Sequence, residues 1–381
     1  MPSLRQYLFS LSDPHGLTRS LGEIELCRTA TGAPLYSVGN TAAVFRILHH
    51  GRQRALRCYF RPRPNLEAIY GKALLHEELF LYDTPESGCW VDVVLTDWIE
   101  GVSLSEAIHT AARAHDREAL LRLAKRFDQL ACKLLADNWA HGDLKPDNMI
   151  LDQEGNLHLI DRDATFLPAF CGMTSPELGT AAFQHPARTA EDFNERLDDY
   201  PAALISSALH ALALDPTLYD RYGERDGLLF DPRKIHQDPA LQEALECFAR
   251  AGEALSYRIA QGLQRPVFAQ RDLLQLFRTL TRDEESIPHS LPTPFVELGR
   301  WGYGSVQGLL TPPVYDWACD FSEGLAAVSI GGHWHFIDIT GSVILHCPPC
   351  QSVSSFFNGF ATITTDEKRY KMDKEGKLFD F

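Results

Sequence analysis

The chain has 381 residues, of which 45% are hydrophobic and 23% are charged. This length exceeds what one ordinary hydrophobic core holds, so we expect two domains. Its formal net charge of -15 argues against general nucleic-acid binding, which needs Lys and Arg side chains to replace phosphate counterions. The first residues contain no apolar leader segment, and no uninterrupted apolar run reaches the about 18 residues of a membrane span. We therefore expect a cytoplasmic protein that binds neither nucleic acid nor a membrane.

Residues 37–61, SVGNTAAVFRILHHGRQRALRCYFR, predict a β-hairpin. Near its start, Gly39 is followed by the small Ala42 and Ala43, which leave room for a ligand to approach the backbone. Six arginines cluster on this hairpin: Arg46, Arg52, Arg54, Arg57, Arg61 and Arg63. They form either an ordinary solvated face or a basic patch that recruits acidic protein segments, and the sequence leaves both interpretations open.

The next two elements are a predicted helix and a predicted buried strand. Residues 65–80, NLEAIYGKALLHEELF, predict a helix that carries Glu67, Glu77 and Glu78. Residues 91–101, VDVVLTDWIEG, predict a buried strand that runs into a linker.

Residues 139–150, WAHGDLKPDNMI, place Asp143, Lys145 and Asn148 close together in the chain. Taken alone, the simpler interpretation is a solvated turn after a helix, because Gly, Asp, Pro and Asn all favour turns. The following residues, MILDQEGNLHLID, predict two short strands around a Glu-Gly turn that ends at Asp161. Such a hairpin brings Asn148 and Asp161 together.

The loop HGDLKPDN resembles the catalytic loop of the protein-kinase superfamily, and Asp161 stands where that family has the Asp of its DFG motif. The resemblance implies that Asp143 accepts or orients the proton of the acceptor hydroxyl and that Lys145 neutralises the moving phosphoryl group. It also implies that Asn148 and Asp161 ligate Mg2+, which accepts a few oxygen ligands beside nucleotide phosphates.

The same resemblance assigns ATP-binding roles to the upstream segments. Gly39 is the remaining glycine of the family's Gly-rich loop, and Arg57 replaces the strand Lys that contacts the phosphates. Glu67 is the favoured acidic partner of Arg57 among the three glutamates, any of which is otherwise solvated surface. The adenine is expected to contact Val44, Ala55 and the backbone of Asp97 and Ile99, with Thr96 as the gatekeeper.

Further along, residues 177–188, ELGTAAFQHPAR, resemble the end of a kinase activation segment. Asp198 matches the Asp that begins the next buried helix; it either holds the catalytic-loop backbone, as the resemblance implies, or simply caps the helix. Gly142 stands where many regulated kinases carry an Arg that receives an activation-loop phosphate. We therefore predict an activity that does not depend on phosphorylation of residues 161–177.

The character of the chain changes after the next helical region. Residues 239–281 carry apolar residues at helical spacing and would complete a kinase-like domain. Residues 282–297 are rich in charge, Ser and Pro, as expected for a linker.

Beyond this linker the sequence repeats itself. The stretch PPVYDWACDFSEGLAAVSIGGHWHFIDITG from Pro312 is echoed from Pro348, with Gly341 and Gly376 in step, and a partial copy begins at Trp301. These units resemble WG repeats, which implies short antiparallel strands and a surface for a protein partner. The repeat core is expected to include Phe321, Trp334 and Phe336. Because two to three units are few, we expect them to dock on the kinase-like region.

Cysteine and histidine usage predicts neither a redox nor a metal site. The nine cysteines lack paired zinc-site spacings, so we expect reduced thiols. Cys347 and Cys350 form a CxxC pattern inside a repeat rather than in a thioredoxin-like setting, which favours a packing role. His333 and His335 are likewise expected to be strand residues rather than ligands.

Together these features predict an α+β chain with a two-lobed protein-kinase-like fold over residues 1–281 and a small all-β WG-repeat domain over residues 298–381. The two lobes are expected at about 16–97 and 102–281. The expected activity is bacterial-type transfer of phosphate from ATP, with Mg2+, to Ser or Thr hydroxyls of a protein that the repeats recruit. The same loop chemistry also serves a Tyr or a small-molecule hydroxyl.

Two alternatives remain open from the sequence. The first is a pseudokinase scaffold that acts through its repeats, because Arg57 and the reduced Gly-rich loop alter the ATP-binding side. The second keeps the fold but assigns another nucleotide-dependent transfer, made possible by a changed nucleotide orientation at Arg57.

Overall fold

The computed structural model describes residues 1–223, 227–267, 272–282, 291–305, 308–366 and 368–380. It is a mixed α and β structure whose C-terminal region is all β. Contacts divide the chain into two compact units, Met1–Gly101 and Val102–Phe381. Among the described helices, none combines the length and apolar character needed to span a membrane.

The first unit is an antiparallel sheet that carries a helix on one face. Its elements are α1 Leu4–Ser12, β1 Ile24–Leu26, β2 Tyr36–Val38, β3 Ala42–His49, β4 Arg52–Tyr59, α2 Leu66–Tyr70, β5 Leu74–Thr84 and β6 Ser87–Asp97. The strand order is β1-β3-β4-β6-β5, with β2 also paired to β3. The hairpin predicted over residues 37–61 is confirmed as the antiparallel pair β3–β4.

The alternation of side chains along β3 and β4 gives this sheet two different faces. Phe45, Ile47 and Leu56 are fully buried in one core, where the ring of Tyr7 from α1 packs against them. The Tyr7 hydroxyl donates a hydrogen bond to the carbonyl oxygen of Tyr59 at 2.6 Å, so the buried ring also satisfies its polar end. The opposite face carries the alternate residues of the same strands.

The helix predicted over residues 65–80 is wrong for most of its length. α2 ends at Tyr70. Its C-cap Gly71 has a φ of 50°, which glycine adopts without strain, and after a short 3-10 turn the chain continues as β5 from Leu74. Glu77 and Glu78 therefore lie on a strand, at a bulge where Glu77 itself has a φ of 45°.

Glu78 has a structural role in this strand. Its buried carboxylate accepts the backbone N–H groups of Arg19, Ser20 and Leu21 at 3.0, 2.8 and 2.8 Å. A carboxylate that satisfies three backbone donors holds the segment before β1 in place.

The second unit begins with a helical region. Its elements are β7 Val102–Ser103, α3 Leu104–Arg113, α4 Arg117–Ala136, β8 Met149–Leu151, β9 Leu157–Leu159, α5 Asp199–Leu214, α6 Thr217–Tyr222, α7 Pro239–Ala251, α8 Ala254–Gly262 and α9 Leu273–Leu280. α5 is buried on nearly all sides, which fits the apolar side chains that it carries around its whole circumference. β8 and β9 pair antiparallel, which confirms the short hairpin predicted around the Glu-Gly turn.

The described residues of the C-terminal region form three antiparallel sheets. They are β10 Thr293–Glu297, β11 Arg300–Ser305 and β12 Gly308–Tyr315; β13 Trp317–Ala318, β14 Leu325–Ile330, β15 His333–Asp338 and β16 Val343–His346; and β17 Ser352–Val353, β18 Phe360–Thr364, β19 Arg369–Asp373 and β20 Leu378–Asp380. Part of the predicted linker, residues 283–290, lies outside the described residues, and the last part forms β10.

The last two sheets repeat the same turn with the same hydrogen bonds. Asp338 Oδ1 accepts the backbone N–H of Ser342 at 3.1 Å, and Asp373 Oδ1 accepts that of Lys377 at 2.7 Å. Gly341 and Gly376 occupy equivalent positions with φ values of 87° and 81°. The self-similarity read from the sequence is therefore also a similarity of backbone and hydrogen bonding.

The repeats pack on the helical region, as their small number predicted. The imidazole of His335 is buried and its Nε2 donates to the carbonyl oxygen of Ala249, near the end of α7, at 2.6 Å. A Cβ added to Gly252 would lie 2.6 Å from Cγ2 of Val343, so the two backbones approach closely here. Burial lowers the pKa of His335 to about 4, despite the hydrogen bond to Ala249.

The aromatic residues of the repeats form their core, as expected. Phe336 is fully buried and its ring centroid lies 4.6 Å from that of Phe356, while Phe321 packs 5.1 Å from Tyr303. The CxxC cysteines are free and join the same apolar cluster. Burial raises the pKa of Cys347 to about 12, so its thiol stays protonated at neutral pH, which supports the packing interpretation.

Candidate functional site

The backbone of the loop between α4 and β8 is held by a buried carboxylate. Asp198 accepts the backbone N–H of His141 on Oδ2 at 2.5 Å and that of Gly142 on Oδ1 at 3.0 Å. It stands at the N-cap of α5 but makes no side-chain hydrogen bond to the helix amides. Of the two roles that the sequence left open, the structure therefore selects the one that holds the loop.

Gly142 has a conformation and a contact that only glycine accommodates. Its φ is 79°, and a Cβ added to it would lie 2.2 Å from the carbonyl oxygen of Ala164. A side chain at this position would be strained by the backbone and would also collide with the segment after Asp161. The backbone conformation and the contact with Ala164 together explain why position 142 does not accommodate an Arg.

Asp143, Lys145 and Asn148 form one hydrogen-bonded group with Thr180. Asp143 Oδ1 accepts the backbone N–H of Thr180 at 2.6 Å, and Lys145 Nζ donates to the Thr180 hydroxyl at 2.8 Å. Lys145 Nζ lies 3.3 Å from Asp143 Oδ2. The Asn148 amide donates to the Asp143 carbonyl oxygen at 2.9 Å and to its Oδ2 at 3.2 Å.

The surroundings of Asp143 favour its ionised form. Burial alone would raise its pKa, but Lys145 and the hydrogen bonds from Thr180 outweigh that effect, so the pKa of Asp143 lies below its usual value. The carboxylate therefore carries its charge at neutral pH. A charged, oriented carboxylate beside an ammonium group can accept a proton from a hydroxyl while the ammonium stabilises negative charge.

Asn148 and Asp161 lie at the same end of the β8–β9 hairpin. The backbone N–H of Ile160 donates to the carbonyl oxygen of Asn148 at 2.9 Å, and Asp161 is the next residue. Asp161 itself has a φ of 59°, a left-handed conformation that begins a 3-10 turn. Because the Asn148 amide nitrogen donates to Asp143, its side-chain oxygen is the atom left to accept. An amide oxygen and a carboxylate are both ligand types that Mg2+ binds.

Sequence reasoning did not single out Thr180, Gln184 or Arg188. The guanidinium of Arg188 is buried, and its Nη1 donates to the carbonyl oxygen of Gly142 at 2.9 Å and to Gln184 Oε1 at 2.5 Å. Burial lowers the pKa of Arg188, while Asp198 and Asp143 act in the opposite direction. These three residues lie in the segment GTAAFQHPAR. The resemblance to an activation segment singled out this stretch as a whole, and that was the signal from which its individual residues could have been considered.

Gly179 makes this close packing possible. Its φ is 72°, and an added Cβ would lie 2.8 Å from the Gly142 carbonyl oxygen and 3.0 Å from Asp143 Oδ1. The absence of a side chain at Gly179 therefore allows the Thr180 amide to reach the carboxylate.

Several predicted ATP-binding residues share one face of the sheet in the first unit. Arg57 of β4 is paired with Val44 of β3 and with Val94 of β6, and Ala55 is paired with Thr96. Because successive residues of a strand point to opposite faces, Val44, Ala55 and Arg57 lie on the face opposite the Phe45 core. Gly39 lies in the turn between β2 and β3, and its N–H donates to the Ala42 carbonyl oxygen at 2.9 Å.

Glu67 and Asp97, two other predicted residues of the first unit, each contact a side chain of that unit. Glu67 of α2 accepts a hydrogen bond from His76 Nε2 at 2.7 Å. Asp97 ends β6, where its carboxylate lies 3.3 Å from Arg54, and Ile99 follows in the segment without regular structure.

Two members of the arginine cluster are engaged within the same unit. Arg46 pairs with Glu100 at 2.7 Å and lies over the ring of Trp98, and Arg54 pairs with Asp97. For these two arginines the solvated-face interpretation is the better one, since their charge is already matched locally.

The comparison with known protein families concerns the C-terminal region. A family model described as WG containing repeat matches residues 308–334. The matched stretch runs from β12 through β14 to the start of β15. Among curated proteins none matches the chain. The match supports the repeat interpretation, and it does not include the loop that carries Asp143.

Proposed function

We propose that the chain is an ATP- and Mg2+-dependent phosphotransferase of protein-kinase-like, two-lobed fold that acts on Ser or Thr hydroxyls. The observation that carries this proposal is the group formed by Asp143, Lys145, Asn148 and Thr180 on a loop fixed by Asp198. A solvated turn has no need of a buried carboxylate beneath its backbone, or of a second carboxylate that an ammonium, a side-chain amide and a backbone N–H all contact. Both are costly arrangements that a reaction site would require.

In this proposal Asp143 receives the proton of the acceptor hydroxyl. The lowered pKa keeps Asp143 ionised at neutral pH, and the Thr180 amide fixes Oδ1, so the orientation of the carboxylate is set before substrate arrives. Lys145 lies 3.3 Å from this carboxylate, which places an ammonium where negative charge develops during transfer.

Asn148 and Asp161 are the residues that would hold Mg2+. A bound Mg2+ neutralises charge on the phosphates. The contribution of the chain is to hold the backbone of both residues at one end of the β8–β9 hairpin through the hydrogen bond from the Ile160 N–H to the Asn148 carbonyl oxygen. In the first unit, the face that carries Val44, Ala55 and Arg57 is the expected surface for adenine and phosphates. The C-terminal repeats are proposed to recruit the protein substrate or another protein partner.

The alternative function is a pseudokinase scaffold, and Arg57 is the observation that favours it. A planar guanidinium differs in length and shape from a lysine ammonium, so its phosphate contacts differ.

Intact-mass spectrometry after incubation with ATP and Mg2+ separates these functions. The phosphotransferase predicts added phosphate on the chain or on an added acceptor protein, lost in both Asp143→Asn and Asp161→Ala. No nucleotide-dependent modification and no thermal shift with ATP would support the scaffold. An adduct other than phosphate would support a different nucleotide-dependent transfer.

A further inference from the structure

Both backbone polar groups of Gly142 are bound by buried charged side chains. The Gly142 N–H donates to Asp198 Oδ1 at 3.0 Å, and the Gly142 carbonyl oxygen accepts from Arg188 Nη1 at 2.9 Å. Asp198 and Arg188 are 2% and 8% exposed, so bulk water contributes little to either bond. Asp143 is the next residue, so the backbone just before the proposed proton acceptor is held by two side chains of opposite charge.

The position of Arg188 is fixed by its own segment. The Arg188 N–H donates to the carbonyl oxygen of His185 at 3.0 Å, which closes a turn. His185 Nδ1 accepts the N–H of Ala187 at 3.1 Å, so Nε2 is the ring donor to the carbonyl oxygen of Arg265 at 3.1 Å. The His185 ring also packs edge to face on Tyr200 of α5, with centroids 5.0 Å apart. Arg188 therefore stands on a turn that is anchored to the helical region.

A second contact orients the Arg188 guanidinium. Arg188 Nη1 also donates to Gln184 Oε1 at 2.5 Å, and Gln184 is 5% exposed. A Cβ added to Gly179 would lie 2.9 Å from the Gln184 side-chain nitrogen and 2.8 Å from the Gly142 carbonyl oxygen. The amide that orients Arg188 is therefore packed beside the same carbonyl oxygen that Arg188 binds.

The charge of Arg188 is compensated by carboxylates rather than by water. Burial lowers the pKa of Arg188, and four carboxylates act against this effect; they are Asp198, Asp143, Asp192 and Glu177. Burial raises the pKa of Asp198, and the groups that act against this effect are His141, its backbone N–H and that of Gly142, and Arg188. Arg188 and Asp198 therefore each reduce the cost of burying the other.

A need for a hydrogen bond alone does not explain an arginine at this position. A neutral amide could donate to the Gly142 carbonyl oxygen at a smaller desolvation cost than a guanidinium. A positive charge is useful here because an ionised carboxylate can accept on both oxygens, as Asp198 does from His141 and Gly142.

We propose that Arg188 is a positioning residue for the reaction at Asp143, because it holds the Gly142 carbonyl oxygen while its charge offsets that of Asp198. This inference rests on the proposed phosphotransferase function. The role is indirect: Arg188 acts through the backbone that sets the direction of the Asp143 carboxylate. Its loss should therefore lower the turnover number and leave the KM for ATP unchanged.

A double-mutant cycle tests the link between Arg188 and Asp198 without nucleotide. The full chain is unfolded with urea as wild type, Arg188→Met, Asp198→Asn and the double variant. Each single variant leaves one buried charge uncompensated, so the double variant should lose clearly less unfolding free energy than the two single losses added together. Arg122→Met is the matched control, because Arg122 is an exposed arginine of α4, and its effect should add to that of Asp198→Asn.

Initial rates with ATP and Mg2+ test the positioning role, at a temperature where urea titration shows each variant to be fully folded. We expect kcat to fall about 10–100-fold in Arg188→Met with an unchanged KM for ATP. Arg188→Lys keeps a cation that can donate to the carbonyl oxygen, so it should recover most of the lost kcat. Arg122→Met should behave as the wild type.

The outcomes separate this inference from the proposed function. Additive losses in the cycle, or an unchanged kcat in folded Arg188→Met, would overturn the role of Arg188 and leave the phosphotransferase proposal standing. No transfer by the wild type would contradict the proposed function, and the positioning role with it. If Arg188→Met does not fold, Arg188→Gln takes its place in both experiments, because Gln keeps a donor without the charge.

Discussion

Asp198 Oδ1 accepts the backbone N–H of Gly142 at 3.0 Å. Asp198 is also the N-cap residue of α5, but its side chain accepts no hydrogen bond from the helix amides. The same carboxylate accepts the N–H of His141 at 2.5 Å. The arrangement links the central buried helix of the second unit to the loop that carries Asp143. The geometry of the candidate site therefore depends on a residue far from it in sequence.

The first prediction concerns this carboxylate. Asp198→Asn replaces one acceptor oxygen with an NH2 group that faces a backbone N–H, so a buried donor loses its partner. We expect the free energy of unfolding to fall by about 1–3 kcal/mol, measured by urea denaturation.

Asp116→Asn is the matched control for Asp198→Asn. Asp116 caps α4 by accepting the N–H of Ala119, and Asn caps helices about as well as Asp, so this change should cost almost nothing. If Asp198→Asn were equally harmless, its role would be that of an ordinary cap.

The second prediction concerns Gly142. Gly142→Ala places a methyl group 2.2 Å from the Ala164 carbonyl oxygen in a backbone with a φ of 79°. Gly155→Ala shares the left-handed backbone, with a φ of 82°, but meets only the flexible Arg126 side chain at 3.9 Å. We expect about 1 kcal/mol of destabilisation for Gly155→Ala and a clearly larger loss for Gly142→Ala. Equal losses in urea denaturation would contradict the collision with Ala164.

The sequence predicted those parts of the site that lie within one short segment. Asp143, Lys145 and Asn148 could be recognised from their spacing, and they form one group in the structure. The contact between Asp143 and Thr180 joins residues far apart in the chain, so no local pattern reports it. Only the matched motif around Gly179 pointed to that segment.

The incorrect prediction of a helix over residues 65–80 has a local physical cause. LLHEELFLY contains apolar residues that fit a helical period as well as a strand, and short apolar runs do not separate the two. The structure resolves the choice through Gly71 and through the bulge at Glu77, which turn Glu78 inward onto the amides of residues 19–21. A buried glutamate that binds backbone amides has no sequence signature.

The third prediction is an acid sensitivity of the repeat docking. The pKa of His335 is about 4 in the folded chain, against about 6.5 for an unperturbed His. Between these two pH values the unfolded chain therefore binds a proton at this residue that the folded chain does not bind. The contribution of His335 to stability is therefore complete above about pH 6.5 and falls as the pH is lowered toward 4. Its loss amounts to about 3 kcal/mol at most.

Urea unfolding of the wild type and of His335→Gln across this pH range isolates the effect. Gln keeps a donor for the Ala249 carbonyl oxygen but does not titrate. The difference in unfolding free energy between the two proteins should change between pH 6.5 and 4. A constant difference over this range would show that His335 is not buried against α7 as described.

The fourth prediction is that activity is independent of activation-segment phosphorylation. Gly142 offers no cationic side chain for a phosphate on residues 161–177, and its φ and its contact with Ala164 leave no room for one. Phosphatase treatment of the purified chain should leave its initial rate of phosphoryl transfer unchanged. A rate abolished by phosphatase and restored by preincubation with ATP would refute this expectation.

The fifth prediction tests the central claim through the initial rate of phosphate transfer from radiolabelled ATP with Mg2+, measured in the wild type, Asp143→Asn and Asp147→Asn. Asp147 is an exposed carboxylate of the same loop, so its replacement controls for charge and for loop integrity. If Asp143 is the proton acceptor, the wild type and Asp147→Asn transfer phosphate at similar rates, and Asp143→Asn is slower by about 10²–10⁴-fold. No transfer by the wild type, or an equal rate in Asp143→Asn, would contradict the proposed function.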